Sequence, residues 1–444
     1  MAGSPPVGRM KQTTTPPAAF LSKQASGLLL FRSSSFVGKK KQTMSDCLPK
    51  EVITDILSRL PVKSLMRFRC VSKAWCSLIS TPNFISTHLN RSLSNSPHQP
   101  YLFVCHCWTL HTVLLYPSDP EIEQKGDFFA NPSDRIELRD PSNNEYSLHL
   151  VGSSNGLLCL ATLNFDNEVG LCVLWNPSIQ KAIYLPKPNL GFDRSLNKSF
   201  GFGYEPTTDD YKLVRLVYPD TDYIGFKTVP PLVEIYTLRT GIWRSLSAPG
   251  PPYITNTWCS SIFTVFLSGA VHWPAHTPRR RGVFRNVIVS FNMKEEAFGE
   301  VGMPKSLQEL EDLNVTLALR DGLLALVPCN EFGNKASHSV WVMKEYGVEE
   351  SWTKLFDVRI GGFHRLIGFT KSGEVLAHKA AWLFSFGPSS GGYVKDFPIH
   401  HLEHIYLDTY VESLVLLNVA DRIPRRLENS SEESRCISCP EEVN

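Results

Sequence analysis

The hydrophobic pattern of this chain changes period once. From Pro49 to Ile79 apolar residues recur at the three- and four-residue spacing of a helix face. Beyond about residue 100 they fall instead in short alternating runs separated by turn residues. In the first stretch Val52, Ile53, Ile56, Leu57 and Leu60 line one face of a helix of about three turns. Asp46 or Cys47 precedes it, and Pro49 suits its first turn, where a missing N–H costs nothing. Glu51 and Asp55 near its start and Arg59 near its end complement the helix dipole, and Pro61 ends it. A second short helix carries Leu65, Met66 and Phe68 with Arg67 and Arg69 exposed. Cys70 and Val71 lead into a third, holding Trp75, Leu78 and Ile79, which Thr81-Pro82 stops.

The remainder predicts strands of two kinds in alternation. One is a Leu- or Val-rich strand beside a glycine turn: SSNGLLCL (153–160), FLSGAVHWP (266–274), LRDGLLALVP (319–328) and FTKSGEVLAH (369–378). The other is a strand followed by a turn and an aromatic: LCVLWNPSIQKAIYLP (171–186), VEIYTLRTGIWRSL (233–246), VIVSFNMKEEAFGEV (287–301) and VWVMKEYGVEESWTKLFDV (340–358). FGFGYEPTTDDYKLVRLVY (200–218) replaces the first kind in the unit that holds 233–246. The second kind recurs every 50 to 60 residues or so, roughly the length of a unit that buries its faces by stacking on its neighbours. Four short strands per unit, set radially, make a β-propeller; six blades is the preferred count, with a pair of β-sandwiches as the alternative. YLFVCHCWTLHTVLLYP (101–117) and the strands around 363–419 supply further units, with SLVLLNV (413–419) as a closing strand. The predicted fold is thus a small all-α module at 46–90, a linker at 91–100 and an all-β domain at 101–420. A basic leader (1–45) and a polar tail (421–444), both expected to be disordered, flank them.

Three helices in about 40 residues cannot bury this much apolar surface alone; domains so small need a metal, a disulfide or a cover. No metal or disulfide pattern accompanies them, which leaves a partner or the adjoining domain. The net charge of +2 offers no bulk argument for nucleic acid or membrane binding, and no apolar run reaches the 18 residues of a bilayer span. Eleven scattered cysteines suit a reducing compartment, with Cys70, Cys159 and Cys172 as buried free thiols. The leader has no acidic residue and is rich in Ser and Thr, which fits a disordered extension or an organelle transit peptide.

Candidate chemistry is sparse. His400, His401 and His404 read as surface histidines, and Cys436-x-x-Cys439 has no second pair beside it. Gly201 and Gly203, among aromatics in a strand, read as tight packing or a bulge rather than a phosphate loop. Trp108, Trp243, Trp273, Trp341 and Trp352 read as blade-packing residues. Arg279, Arg280, Arg281 and Arg285 form a basic loop patch, either solvated or a contact for an acidic or phosphorylated target. Residues 218–231 and 249–258 are long aromatic- and Pro-bearing loops of the kind that carry recognition.

The run LPKEVITDILSRLPVKSLMRFRCVSKAWCSLI (48–79) resembles the F-box, in the form common in plant F-box proteins. NGLLCL, LWNPSIQKAIYLP, GFGYEPTTDDYKLVRL and VEIYTLRTGIWRSL resemble the kelch-like F-box associated domain of those proteins, although the kelch double glycine is absent. The resemblance implies binding to a Skp1-like adaptor, and through it to a cullin and a RING protein, in an SCF ubiquitin ligase. Leu48, Pro49, Ile53, Leu57, Leu60, Pro61 and Leu65 match the positions that pack on Skp1, while Trp75 and Ile79 lie nearer the junction and the module's own core. The β domain would bind a protein target; no cofactor, nucleic acid or membrane is implied, and the chain would not itself be an enzyme. Its setting would be cytoplasmic or nuclear, or an organelle if the leader directs it there. A Skp1-binding scaffold without a degradative role and a propeller enzyme are the alternatives.

Overall fold

The computed structural model describes residues 49–94, 101–107, 110–116, 134–139, 148–162, 171–190, 197–218, 230–247, 250–251, 254–255, 264–277, 285–310, 313–329, 337–359, 365–370, 372–379, 382–387, 392–398 and 404–420. The leader 1–45, the tail 421–444, Trp108, His400 and His401 lie outside them.

The helical module holds one helix more than its spacing predicts: α1 (Lys50–Leu57), α2 (Val62–Phe68), α3 (Lys73–Ile79) and α4 (Pro82–Ser94). Pro82 does not stop the helical run; it occupies the first turn of α4, where proline's fixed φ and absent N–H are an advantage. Thr81 serves both neighbours. Its hydroxyl donates to the Leu78 carbonyl at the end of α3 and accepts from the Phe84 N–H of α4, at 2.8 and 3.3 Å. Helix α4 therefore runs through the first residues of the expected 91–100 linker. Ser72 caps α3 in the ordinary way, accepting from Trp75 N–H at 3.1 Å.

Beyond the helices the described strands form antiparallel sheets in a β-propeller arrangement. The first holds β1 (Tyr101–Cys107), β2 (Leu110–Tyr116) and β3 (Asp134–Arg139). The second is β4 (Leu148–Ser154), β5 (Leu157–Thr162), β6 (Cys172–Asn176) and β7 (Lys181–Tyr184). The third is β8 (Asn197–Glu205), β9 (Asp210–Tyr218), β10 (Leu232–Thr237) and β11 (Ile242–Ser245). In the fourth, β12 (Ile254–Thr255) and β13 (Val265–Leu267) both pair with β14 (Ala270–His276), followed by β15 (Asn286–Asn292) and β16 (Ala297–Gly302). The fifth is β17 (Asn314–Arg320), β18 (Leu323–Cys329), β19 (Ser337–Met343) and β20 (Trp352–Arg359). The sixth is β21 (Arg365–Phe369), β22 (Val375–Lys379), β23 (Trp382–Phe386) and β24 (Tyr393–Pro398). Finally β25 (His404–Thr409) returns to pair with β1 and completes the first sheet.

The two repeating segments of the sequence are the two hairpins of each sheet. The glycine-turn kind is the hairpin of strands one and two; Asn155-Gly156, Ser268-Gly269 and Asp321-Gly322 all have positive φ at both positions, the geometry of a two-residue hairpin turn. The aromatic kind is the hairpin of strands three and four. Closure differs from expectation: β25, not 413–419, is the closing strand, and Ser413–Val419 is a non-strand segment. His404 opens that strand.

The core lies between sheets. Val151, Leu157 and Leu174 of the second pack with Phe200, Phe202 and Leu213 of the third. Val214 and Ile235 of the third pack with Val271 and Val289 of the fourth, and Leu366 and Val375 of the sixth with Val327 and Val340 of the fifth. Three buried tryptophans pin the third, fourth and fifth sheets each to the one before it. The indole N–H of Trp243 donates to the Pro186 carbonyl, that of Trp273 to Phe200 and that of Trp352 to Gly302, each at 2.7 Å. Of the remaining predicted blade-packing tryptophans, Trp341 is half-buried. Gly201 sits under one of these pins: a Cβ there would lie 2.5 Å from Trp273 Cζ2, and at Gly203 2.4 Å from the Phe266 ring. The β8–β9 register passes both without a shift, so they serve close packing and not a bulge. Cys159 and Cys172 are buried, whereas Cys70 is exposed, contrary to its apolar surroundings in sequence.

Candidate functional site

Helix α1 turns about 100° per residue, so Val52, Ile56, Ile53 and Leu57 spread over about 140° of its surface. That arc is wider than the core it meets. Leu57, at one margin, is buried, while Ile56 and Val52, towards the other, are 50% and 42% exposed. Ile53 is half-buried. Val71, just beyond α2, is 56% exposed. Pro49 and Pro61 are exposed and Leu60 is half-buried. The module therefore presents apolar side chains that its own fold leaves uncovered.

Two of the residues expected at the adaptor contact lie inside the module in this structure. Leu57 and Leu65 are interior residues, buried with Val62, Ile79, Phe84 and Leu89, and have no side-chain surface to offer. Leu48 lies outside the described residues. Val52, Ile56 and Val71 are exposed and were not among the residues expected at that contact. They lie in the same apolar pattern, and only the packing of the other helices tells which margin of the stripe faces out. Trp75 is half-buried against Phe68, edge to face at 5.4 Å, and Ile79 is fully buried, so both serve the module's core.

Polar contacts brace these helices. Arg59 pairs with Asp55 one turn before it at 3.0 Å, and Arg91 of α4 reaches back to the Asp55 carboxylate and carbonyl. Hydrogen bonding from Arg91 holds the Asp55 carboxyl below the usual carboxylate range. His88 Nε2 donates to the Leu60 carbonyl at 3.0 Å, and burial pushes the His88 pKa down, which keeps it neutral.

On the β domain the predicted basic patch divides. Arg279, Arg280 and Arg281 lie outside the described residues, in the connection between β14 and β15. Arg285 is described, and it is not a free cation: its guanidinium pairs with Glu300. Its backbone closes the β14–β15 hairpin, donating to Thr277 Oγ1 at 2.8 Å and accepting from the Thr277 N–H at 2.9 Å.

Comparison with known proteins gives two family matches. Residues 45–87 match the F-box domain, and residues 106–386 match the F-box associated beta propeller domain. Among relatives, F-box protein CPR1 of Arabidopsis thaliana is 30% identical over 327 residues, 70% of this chain and 73% of that protein. F-box protein At3g07870 of the same plant is 28% identical over 402 residues, 80% of this chain and 88% of the relative. F-box/kelch-repeat protein At3g23880, also of that plant, is 29% identical across 70% of this chain and 79% of its own length.

Proposed function

The chain belongs to the F-box proteins that carry an F-box associated β-propeller domain, and we propose that it is the target-recognition subunit of an SCF-type ubiquitin ligase. The observation that carries this reading is the exposure of apolar side chains in the helical module, among them Ile56, Pro61 and Val71. Half-exposed aliphatic side chains on a module this small are covered at little entropic cost by a docking partner, and an apolar centre with a charged rim is the usual anatomy of such an interface. The partner is a Skp1-like adaptor, which brings a cullin and a RING protein. Pro49, Ile53, Leu60 and Pro61 stay in the contact; Val52, Ile56 and Val71 replace Leu57 and Leu65. The chain acts by holding its target near the transferring enzyme, a proximity effect that needs no catalytic side chain of its own.

For the β domain we assign six blades, supported by the six sheets and by β25 closing on β1. In the second to sixth sheets, counting β12 and β13 together as strand one of the fourth, the joints between strands one and two and between three and four lie at one end, and the joint between two and three at the other. Several joints of the second kind are long: 163–171, 219–231, 277–285 and 330–336. We place target contacts on these connections, one of which carries Arg279, Arg280 and Arg281 in its sequence, with an acidic or phosphorylated segment as the ligand.

The test is affinity capture of a purified Skp1-type adaptor by the full chain. Ile56→Asp is expected to abolish capture while leaving the thermal transition unchanged, since the side chain is half exposed. Leu57→Asp is no test, because it puts a charge into the core. Undiminished capture by Ile56→Asp would move the docking surface elsewhere, and no capture by the wild-type chain would remove the ligase reading.

A further inference from the structure

After β25 the chain leaves the ring and runs through Tyr410–Ala420 without strand or helix. A segment without strand or helix has little reason to be ordered unless something holds it. This one is deeply held: Ser413 and Leu414 are fully buried, and Tyr410 and Leu416 nearly so.

Its contacts divide between the two parts of the molecule. Asn176, at the end of β6, is buried and spends its amide on the segment. Nδ2 donates to the Val415 carbonyl at 2.8 Å, to the Ser413 carbonyl at 3.0 Å and to Ser413 Oγ at 3.1 Å. Ser178 Oγ accepts from the Ser413 N–H at 3.3 Å and meets the Tyr410 hydroxyl; Lys181 Nζ donates to the Val419 carbonyl. Gly156, in the β4–β5 turn, lets the segment approach: a Cβ there would lie 2.2 Å from the Val411 carbonyl oxygen. Leu416 joins the apolar core between the second and third sheets. All of this grips the ring.

Two side chains of the same segment grip the helices instead. The Glu412 carboxylate accepts from the Val62 N–H at 3.0 Å. Val62 is the first residue of α2, whose leading N–H groups have no partner inside the helix, and whose preceding residue, Pro61, supplies no side-chain cap. A carboxylate is the favoured group at that position. Asn418 Nδ2 donates to the carbonyl of Ser80, the residue that ends α3. One strap thus satisfies the start of one helix and the end of another, with its intervening residues fastened to the second sheet.

We infer that Tyr410–Ala420 is a lock that fixes the F-box helices on the β-propeller, with Glu412 and Asn418 as the two groups that engage them. The inference rests on the ligase reading only for its purpose: a receptor that works by proximity needs its target-binding surface held at a set angle to its adaptor.

The experiment is amide hydrogen exchange on the full chain without any partner. In Glu412→Ala/Asn418→Ala, exchange of the Val62–Leu65 amides is expected to rise about tenfold, the loss of one charge-assisted hydrogen bond, while β4–β7 amides keep wild-type rates. Glu412→Gln keeps an acceptor but loses the charge; it is expected to fall between wild type and the double variant and serves if the latter misfolds. Wild-type rates at Val62–Leu65 in both variants would overturn the lock. Adaptor capture measured alongside reports only on the ligase reading: its absence in the wild-type chain would remove that reading and leave the exchange result to decide the lock.

Discussion

At His272 a buried imidazole is committed to one tautomer. The residue lies on β14 opposite Val265 of β13, and its Nδ1 donates to the Val265 carbonyl at 3.1 Å. Nε2 must then accept, and the Tyr346 hydroxyl donates to it at 2.8 Å from the β19–β20 turn of the next sheet. Burial pushes the His272 pKa down to about 4. An unfolded histidine takes its proton near pH 6.5 or so, so between that pH and about 4 the unfolded chain binds a proton that the folded one refuses. The stability is complete above the upper limit and is lost as the pH falls through the window, by up to about 3 kcal/mol for this group. Buried His88 shifts in the same direction and adds to the slope. Urea midpoints from pH 7.5 to 4.5 are therefore expected to fall, and His272→Gln to flatten that fall; an unchanged slope in the variant would contradict the assignment. None of this was legible in the sequence, because Tyr346 is a long way along the chain and in another sheet. Gly201 and Gly203 were legible in part: glycines flanked by aromatics inside a strand pointed to close packing or a bulge, and the unshifted β8–β9 register decides for packing.

At the scale of elements, the hairpins were readable and the punctuation between helices was not. Glycine turns flanked by alternating apolar residues fix a hairpin locally, and these are the pairs β4–β5, β13–β14 and β17–β18. Pro82 carries opposite meanings at the end of one helix and in the first turn of the next; Thr81 decides between them by bonding to both. Replacing Thr81 by Ala removes the cap of α4 and the hydroxyl bond to Leu78, and is expected to cost about 1 kcal/mol. Thr81→Ser keeps the hydroxyl and most of the stability. Urea titration followed by far-ultraviolet circular dichroism separates the two, and equal midpoints for Ala and Ser would show that the bonds carry nothing. The segment 413–419 misled for a related reason: Leu414 and Leu416 are buried as a strand's residues would be, and Leu416 packs with half-buried Val415 and Val419 against the second and third sheets, but from turns. Apolar density alone does not distinguish a strand from a pinned strap. Likewise the stripe on α1 marks a helix, yet which margin faces out depends on where α2, α3 and α4 come to rest.

For the whole molecule the decisive contact joins its two most distant strands. The β25 backbone pairs with β1 from Tyr101↔Thr409 to His106↔His404, so the first sheet cannot be completed until the last strand has been reached. Contacts of such separation carry a loop-closure cost that local hairpins do not, and they make the ring stand or fall together. Without β25 the edge of β1 is open, and an unpaired strand edge is a template for another chain. In an antiparallel pair successive residues turn their N–H groups to opposite sides, so of Ile405 and Tyr406 one donates towards β1. Changing both to Pro removes that bond whichever residue makes it. The double variant is expected to unfold at lower urea, over a broader transition, and to form oligomers on a sizing column with light scattering. If the double-proline variant kept the wild-type midpoint and width, the pairing of β25 with β1 would not be what closes the ring.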